Sequence, residues 1–245
     1  MPTSLTEKST TQEIERRFDA DVERFSNLET GQVSTIDAPL ALELIAQAAK
    51  AATPAMNRIL DIGCGAGNNS IKLLREIDGN PDCDLNDLSA AMLARAKERV
   101  SRETTGNVSI FHGDFRTISL PEESYDVIVA AAVLHHLRDE ADWLAVFSKI
   151  FRLLRANGSF WCSDLVSHEF PPVQTLMWRR YGDYLATVGG NAYRDAVFAY
   201  INREDSPRPL TFQLELLRQV GFANTDVLHK NSCFAVFGGV KLGPV

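Results

Sequence analysis

The sequence predicts an α/β fold built on a doubly wound, mostly parallel sheet. Three observations carry this. Short apolar segments alternate with amphipathic ones from Arg58 to Asp164, and such alternation specifies a parallel sheet with helices on both faces. The first apolar segment, Ile59-Leu60-Asp61-Ile62, runs straight into Gly63-Cys64-Gly65-Ala66-Gly67, whose alternate glycines open a helical pattern. A sheet brings bare backbone up against a nucleotide-sized ligand in this way, at a strand's carboxyl end. Acidic residues then recur where successive strands end, at Asp61, Asp87 and Asp114.

The bulk properties narrow the class. At 245 residues the chain has the length for one large α/β domain, and a single domain over residues 1–245 is expected. Hydrophobic content of 45% and charged content of 23% are those of a soluble globule. A net charge of −7 argues against nucleic acid as the default partner. Cys64, Cys83, Cys162 and Cys233 are scattered, with no C-x-x-C and no histidine at ligand spacing. Free thiols in a reducing cytoplasm are therefore expected, without a disulfide framework or a metal site. Met1-Pro2-Thr3-Ser4 lacks the basic-then-apolar layout of a signal peptide. The apolar run from Val127 to Leu134 is far too short to span a bilayer, so no membrane partner is expected. A homodimer is compatible with this composition.

Taken in order, residues 1–55 read as a helical N-terminal cap. Ile14, Phe18, Val22 and Phe25 recur at steps of four, four and three, which makes one apolar helix face. This helix would either cover a sheet face or act as a lid over a ligand. A second helix starts near Asp37-Ala38-Pro39, with proline in its first turn, and continues through Leu44, Ile45 and Ala49. Residues 56–165 form the alternating core. After the glycine turn, Ile71, Leu74 and Ile77 give a helix its apolar face. A short strand ends at Leu85–Asp87, and Ser89 caps a helix carrying Met92, Leu93, Ala96 and Val100. Val108–Phe111 and Val127–Ala131 are strands, the latter apolar throughout, as when helices cover both faces. Trp143, Phe147, Ile150 and Leu154 mark a helix stopped by Asn157-Gly158, and Phe160–Cys162 is the next strand. The rhythm then breaks in an insertion, residues 166–210, rich in Phe170, Trp178, Tyr181, Tyr184, Tyr193 and Arg194. In residues 211–245, Leu214, Leu217 and Val220 form a helix before Gly221. Thr225–Leu228 and Phe234–Phe237 follow as an antiparallel hairpin turning at Lys230-Asn231-Ser232.

The glycine spacing is G-x-G-x-G. A dinucleotide fingerprint would need glycine at position 68, where Asn68 stands, so a nicotinamide enzyme is disfavoured. A carboxylate at the second strand end, Asp87, can accept both ribose hydroxyls, because it has acceptor sites to spare. Asp114 after the third strand can accept the exocyclic amine of adenine, with Phe115 and Met92 flanking the base. A nucleoside is the expected ligand.

Four motifs in order resemble the class I S-adenosylmethionine-dependent methyltransferases: Asp61 to Gly67, Asp87 to Leu93, His112-Gly113-Asp114-Phe115, and Tyr125 to Leu137. Leu154 to Ser159 stands where that family often has proline before glycine. The likeness is dense over about residues 56–165 and looser beyond. It implies a Rossmann-like seven-stranded sheet whose last strand is antiparallel, S-adenosyl-L-methionine as cofactor, and a small-molecule methyl acceptor. It also implies cofactor contacts from Asp61, Gly63, Cys64, Gly65, Gly67, Asp87, Leu88, Met92, Gly113, Asp114 and Phe115. Ala130 and Ala131 would meet the methionine end. One departure concerns the second strand, Pro81-Asp82-Cys83-Asp84-Leu85-Asn86, which is unusually polar. Asn86 stands where a hydrophobic or small residue is common, and this bears on the register of Asp87.

A sulfonium methyl is already a strong electrophile, so most of the rate can come from holding the nucleophile about 3 Å from the methyl carbon. A general base is needed only where the nucleophile must lose a proton. His135 and His136, at the fourth strand's end, and Asp164, at the fifth strand's end, are the catalytic candidates. Trp178, Tyr181 and Tyr184 share a helical face that would either line an aromatic pocket or pack the core. Phe18-Asp19-Ala20 and Phe234 to Gly238 carry a second, looser resemblance, to carboxy-S-adenosylmethionine synthase, a relative linked to tRNA wobble-uridine modification. Under that reading Arg194 would hold an extra carboxylate on the cofactor. A third reading is a cofactor-binding regulator without turnover, because motifs for binding do not prove chemistry.

Overall fold

The structure, a computed structural model, describes residues 7–27 and 32–243. Seven strands form one sheet in the order β3-β2-β1-β4-β5-β7-β6. They are β1 Arg58–Ile62, β2 Asp82–Asp87, β3 Val108–His112, β4 Tyr125–Ala131, β5 Leu154–Leu165, β6 Asn224–Asn231 and β7 Phe234–Val240. The pairings among β1 to β5 are parallel, and β7 runs antiparallel to both β5 and β6. The expected fold class is therefore observed.

Strand alternation explains the two cores. Along β4, Val127 and Val129 point into one apolar cluster, while Ile128 and Ala130 point into the other. The first cluster is closed by α3 (Ala38–Ala52), α4 (Asn68–Glu76) and α5 (Ala90–Val100). The second is closed by α6 (Glu140–Leu153) and α8 (Leu210–Val220). With both faces covered, β4 can be apolar throughout. Ser89 caps α5 as expected, accepting from the Met92 amide at 3.0 Å.

Two boundaries differ from the expectation, each for a local reason. Leu154 fits the helical period of α6, yet it pairs with Tyr125 and begins β5 at once. Asn157-Gly158 therefore bends a strand instead of ending a helix. Asn157 takes a left-handed φ of 63°, and its amide donates to the Lys241 carbonyl at 2.7 Å. At the hairpin, Lys230 and Asn231 belong to β6, and the turn is Ser232-Cys233, with Ser232 at φ 53°.

At the N-terminus, α1 (Thr11–Ala20) starts with a reciprocal capping box between Thr10 and Glu13, and α2 (Val22–Phe25) follows. The Phe25 side chain, part of the predicted stripe, lies outside the described residues. The insertion is α7 (Pro171–Glu204), broken at Gly189 and Gly190, so its halves fold against each other. Trp178 stacks on Phe198 at 4.9 Å, and Tyr181 packs edge-on against Phe198 and Phe234. The Tyr181 and Tyr184 hydroxyls donate to the Ser34 and Val33 carbonyls, each at 2.8 Å. The aromatic stripe thus builds a third core, and Tyr181 also faces a small cavity.

Candidate active site

A cavity of about 310 Å³ lies at the carboxyl ends of β1, β2, β3 and β4. Its floor holds Gly63, Cys64 and Gly65 from the glycine turn, Asp87, Leu88 and Met92 from β2 and α5, and Gly113, Asp114 and Phe115 after β3. Ala131, Ala132 and His136 line the β4 side. Ser9, Thr10, Thr11, Ile14 and Phe18 roof it from α1, so the first helix does cover the cavity.

The two first glycines serve different needs. A Cβ on Gly63 would lie 2.5 Å from Val133 Cγ2, whereas a Cβ on Gly65 would meet nothing within 4 Å. Gly63 lets β1 and the end of β4 approach. Gly65 leaves open room facing the cavity. Both hold left-handed φ values, 61° and 50°, which favour glycine.

Asp87 is fixed by its backbone neighbours. Its Oδ2 accepts from the Gly65 amide at 2.8 Å and its Oδ1 from the Ser89 amide at 2.9 Å. Each carboxylate oxygen keeps a further acceptor site. Burial pushes its pKa up, and these amide bonds oppose the rise. Asn86 has a function in this arrangement. Its amide donates to the Phe111 and Gly113 carbonyls at 2.8 and 2.9 Å, tying the ends of β2 and β3 and setting Asp87 opposite His112. Asp114 is clasped by Arg116, whose Nε lies 3.0 and 2.9 Å from its two oxygens. Burial would raise the Asp114 pKa, but the guanidinium outweighs it and holds the carboxyl below its usual range.

Three expected cofactor contacts lie beneath the cavity and do not line it. Gly67 caps α4, Ala130 is wholly buried in β4, and Asp61 is wholly buried under the turn. Asp61 Oδ2 accepts from the Ser70 hydroxyl at 2.7 Å and amide at 3.2 Å, while its Oδ1 has no partner. Arg194 lines neither cavity. It sits partly exposed on α7, with Nε 2.9 Å from Asp195.

A second cavity of about 80 Å³ adjoins the first, and Phe18, Gln32, Ala132 and His136 line both. His135 and Asp164 line this smaller space. The His135 ring Nδ1 bonds Asp164, whose Oδ2 also accepts the His135 amide at 2.9 Å. Burial disfavours a charged His135, but Asp164 and Asp205 outweigh it and raise its pKa to about 9. Asp205 escaped the sequence reading, because a lone acid before a proline-rich turn reads as a helix end. It caps α7 and brings Oδ1 to 3.2 Å from His136 Nδ1. Arg138, Gln32 and the α1 residues were also missed as lining groups; of these, only the Ile14 and Phe18 stripe left a signal in the sequence.

Residues 59–158 match the family model described as a methyltransferase domain. The demethylmenaquinone methyltransferase of Listeria monocytogenes is 24% identical over 187 residues, covering 75% of this chain and 77% of that protein. The enzyme of the same name from Lactococcus lactis is 27% identical over 172 residues, covering 69% and 66%. Residues 59–158 are thus a methyltransferase domain, and the chain is an S-adenosylmethionine-dependent methyltransferase. Among solved structures, human N-acetylserotonin methyltransferase in complex with S-adenosylmethionine superposes with a TM-score of 0.60 at 16% identity. That match covers 96% of this chain and 57% of the human one. The [4+2]-cyclase SpnF gives 0.64 at 13% identity, covering 97% and 98%. A protein named for cyclisation thus shares this methyltransferase's fold, so the chemistry has to be argued from the site.

In this methyltransferase Asp61 gives the stability a pH dependence with a definite sign. Burial, only partly opposed by Ser70, raises its pKa to about 7, above an unfolded value near 3.9. Between those values the native state binds the extra proton, so stability is fullest at the acid end and falls as pH rises toward 7. Asp61→Asn keeps an acceptor for Ser70 and is expected to flatten that fall. Urea midpoints at pH 5 and pH 8 check this, and an equal drop in both proteins would place the source elsewhere.

Proposed function

We infer that this methyltransferase moves the methyl group of S-adenosylmethionine to a small molecule, with the cofactor in the larger cavity and the acceptor in the smaller. The observation that carries this reading is the junction between the two spaces at Ala132, His136 and Phe18. A donor lying along the strand ends, adenine toward β3 and methionine toward β4, directs its sulfonium into that junction. Asp87 would take the ribose hydroxyls. Asp114, Phe115 and Met92 would hold the adenine, and the glycine turn with Ala131 the methionine part. His135, His136 and Asp164 stand where the acceptor would approach.

The names of the relatives, which specify demethylmenaquinone, support a small acceptor over a macromolecule. The net charge of −7 supports the same choice, and four buried free cysteines support a cytoplasmic setting. A cofactor bearing an extra carboxylate would call for a cation at its methionine end. Arg194 lies outside both cavities and does not favour that reading.

Calorimetry with S-adenosylmethionine, followed by a turnover screen for S-adenosylhomocysteine with phenols, quinols and amines, tests the proposal. One equivalent bound, with release of S-adenosylhomocysteine only when an acceptor is present, is expected. Absence of binding would overturn it. Tight binding with no acceptor-dependent turnover would favour the regulator.

A further inference from the structure

The short 3-10 helix Leu134–His136 that follows β4 and the end of α7 bring three donor atoms together. His135 Nε2 lies 3.7 Å from Asp205 Oδ1, and His136 Nδ1 lies 3.2 Å from the same oxygen. All three atoms fall within 4.8 Å of one another. Two of them, His136 Nδ1 and Asp205 Oδ1, are buried and make no hydrogen bond; their 3.2 Å approach lacks the alignment of one. Asp205 is only 4% exposed. Buried polar atoms are nearly always hydrogen-bonded. A buried carboxylate oxygen that meets two imidazole nitrogens at ion-pair distance without an aligned hydrogen bond points to something that all three can hold.

We propose that His135, His136 and Asp205 bind a divalent transition-metal ion of the zinc type at the wall of the smaller cavity. Two imidazole nitrogens and one carboxylate oxygen form the donor set of such ions, whereas calcium and magnesium prefer oxygen alone. Bonds of about 2.0–2.1 Å in tetrahedral geometry place neighbouring donors roughly 3.3 Å apart, close to the observed 3.2 and 3.7 Å. Asp164 supplies the outer support. By accepting from His135 Nδ1 it holds the ring with Nε2 toward the site, where a metal would displace the Nε2 proton. Asp164 and Asp205 also make the site negative. Arg17, the cation lining this cavity, is already committed to Glu204 through Nε at 3.0 and 2.9 Å and through Nη2 at 2.6 Å. The three ligands leave a coordination position for the small cavity, where an acceptor hydroxyl or enol oxygen would fit. That last role rests on the methyltransferase reading; metal binding itself does not.

The test uses the full chain, stripped with chelator and titrated with Co2+ and Zn2+. One equivalent of Co2+ is expected to give the intense visible bands of a low-symmetry site, displaced by Zn2+. Asp205→Asn should abolish these bands with S-adenosylhomocysteine affinity retained, and Asp164→Asn should weaken Zn2+ binding about 10- to 100-fold. Weak or non-stoichiometric binding by the wild-type chain would overturn the proposal, even if a variant fails to fold. So would undiminished binding by a folded Asp205→Asn protein. Loss of S-adenosylhomocysteine binding in the wild-type chain would instead count against the methyltransferase reading alone.

Discussion

Asp87→Ala is expected to weaken S-adenosylhomocysteine binding by about 2–4 kcal/mol, or roughly 30- to 1,000-fold. The carboxylate sits at the end of β2 with one acceptor site free on each oxygen, placed for two ribose hydroxyls. Each charge-assisted hydrogen bond contributes about 1.5–3 kcal/mol, and because both fall on one carboxylate their losses do not add in full. The alanine variant also frees the Gly65 amide, leaving the turn tied to β2 by the Cys64 amide and the Asn86 carbonyl. Asp87→Asn keeps one acceptor oxygen and should lose less. Calorimetry on variants whose thermal unfolding matches the wild type reads the effect directly. Unchanged affinity would mean that the ribose is held elsewhere.

Gly63→Ala should cost about 2–5 kcal/mol of stability. Its left-handed backbone accounts for about 1–2 kcal/mol of that, and the forced approach to Val133 supplies an overpacking term of about 1–3 kcal/mol. Gly65→Ala bears only the backbone part, because its Cβ would enter open space. That space faces the cavity, so the second variant should lose ligand affinity out of proportion to its stability. Urea unfolding and calorimetry on the pair separate the effects. Equal losses of stability and of affinity in the two variants would contradict the assigned division between packing and ligand room.

The strands of the core were legible because fully buried strands write their period plainly, as in Val127 to Ala131, and because three acids punctuate their ends. Asp87 and Asp114 could be found for the same reason, since one ends a strand and the other comes two residues after one, and neither needs a distant partner to be noticed. The boundary at Leu154 was not legible. An apolar residue at helical spacing is equally suited to a buried strand, and pairing with Tyr125 decides the matter. Asn86 looked like a flaw in a strand because its two carbonyl partners come from another segment. Asp205 was hidden more deeply. Its meaning depends on a helix that doubles back at Gly189-Gly190 and delivers it to histidines far upstream. The aromatic stripe showed that a face was buried, and only the structure shows that Phe198 and Phe234 bury it.

The way α1 is attached has a consequence for how long a ligand stays. Among the described side chains of Thr11–Ala20, Ile14 is the one that is buried. Much of the hold is polar, through Arg17 to Glu204, Ser9 to the Arg203 carbonyl at 3.0 Å, and Arg138 to the Ser9 carbonyl at 2.9 Å. Segments held by few apolar contacts open at a small fraction of the global unfolding free energy. A bound ligand can therefore exchange by the release of one short helix while the sheet stays intact. Its residence time is then governed by these few moorings, and ionic strength acts on it more than on the fold beneath.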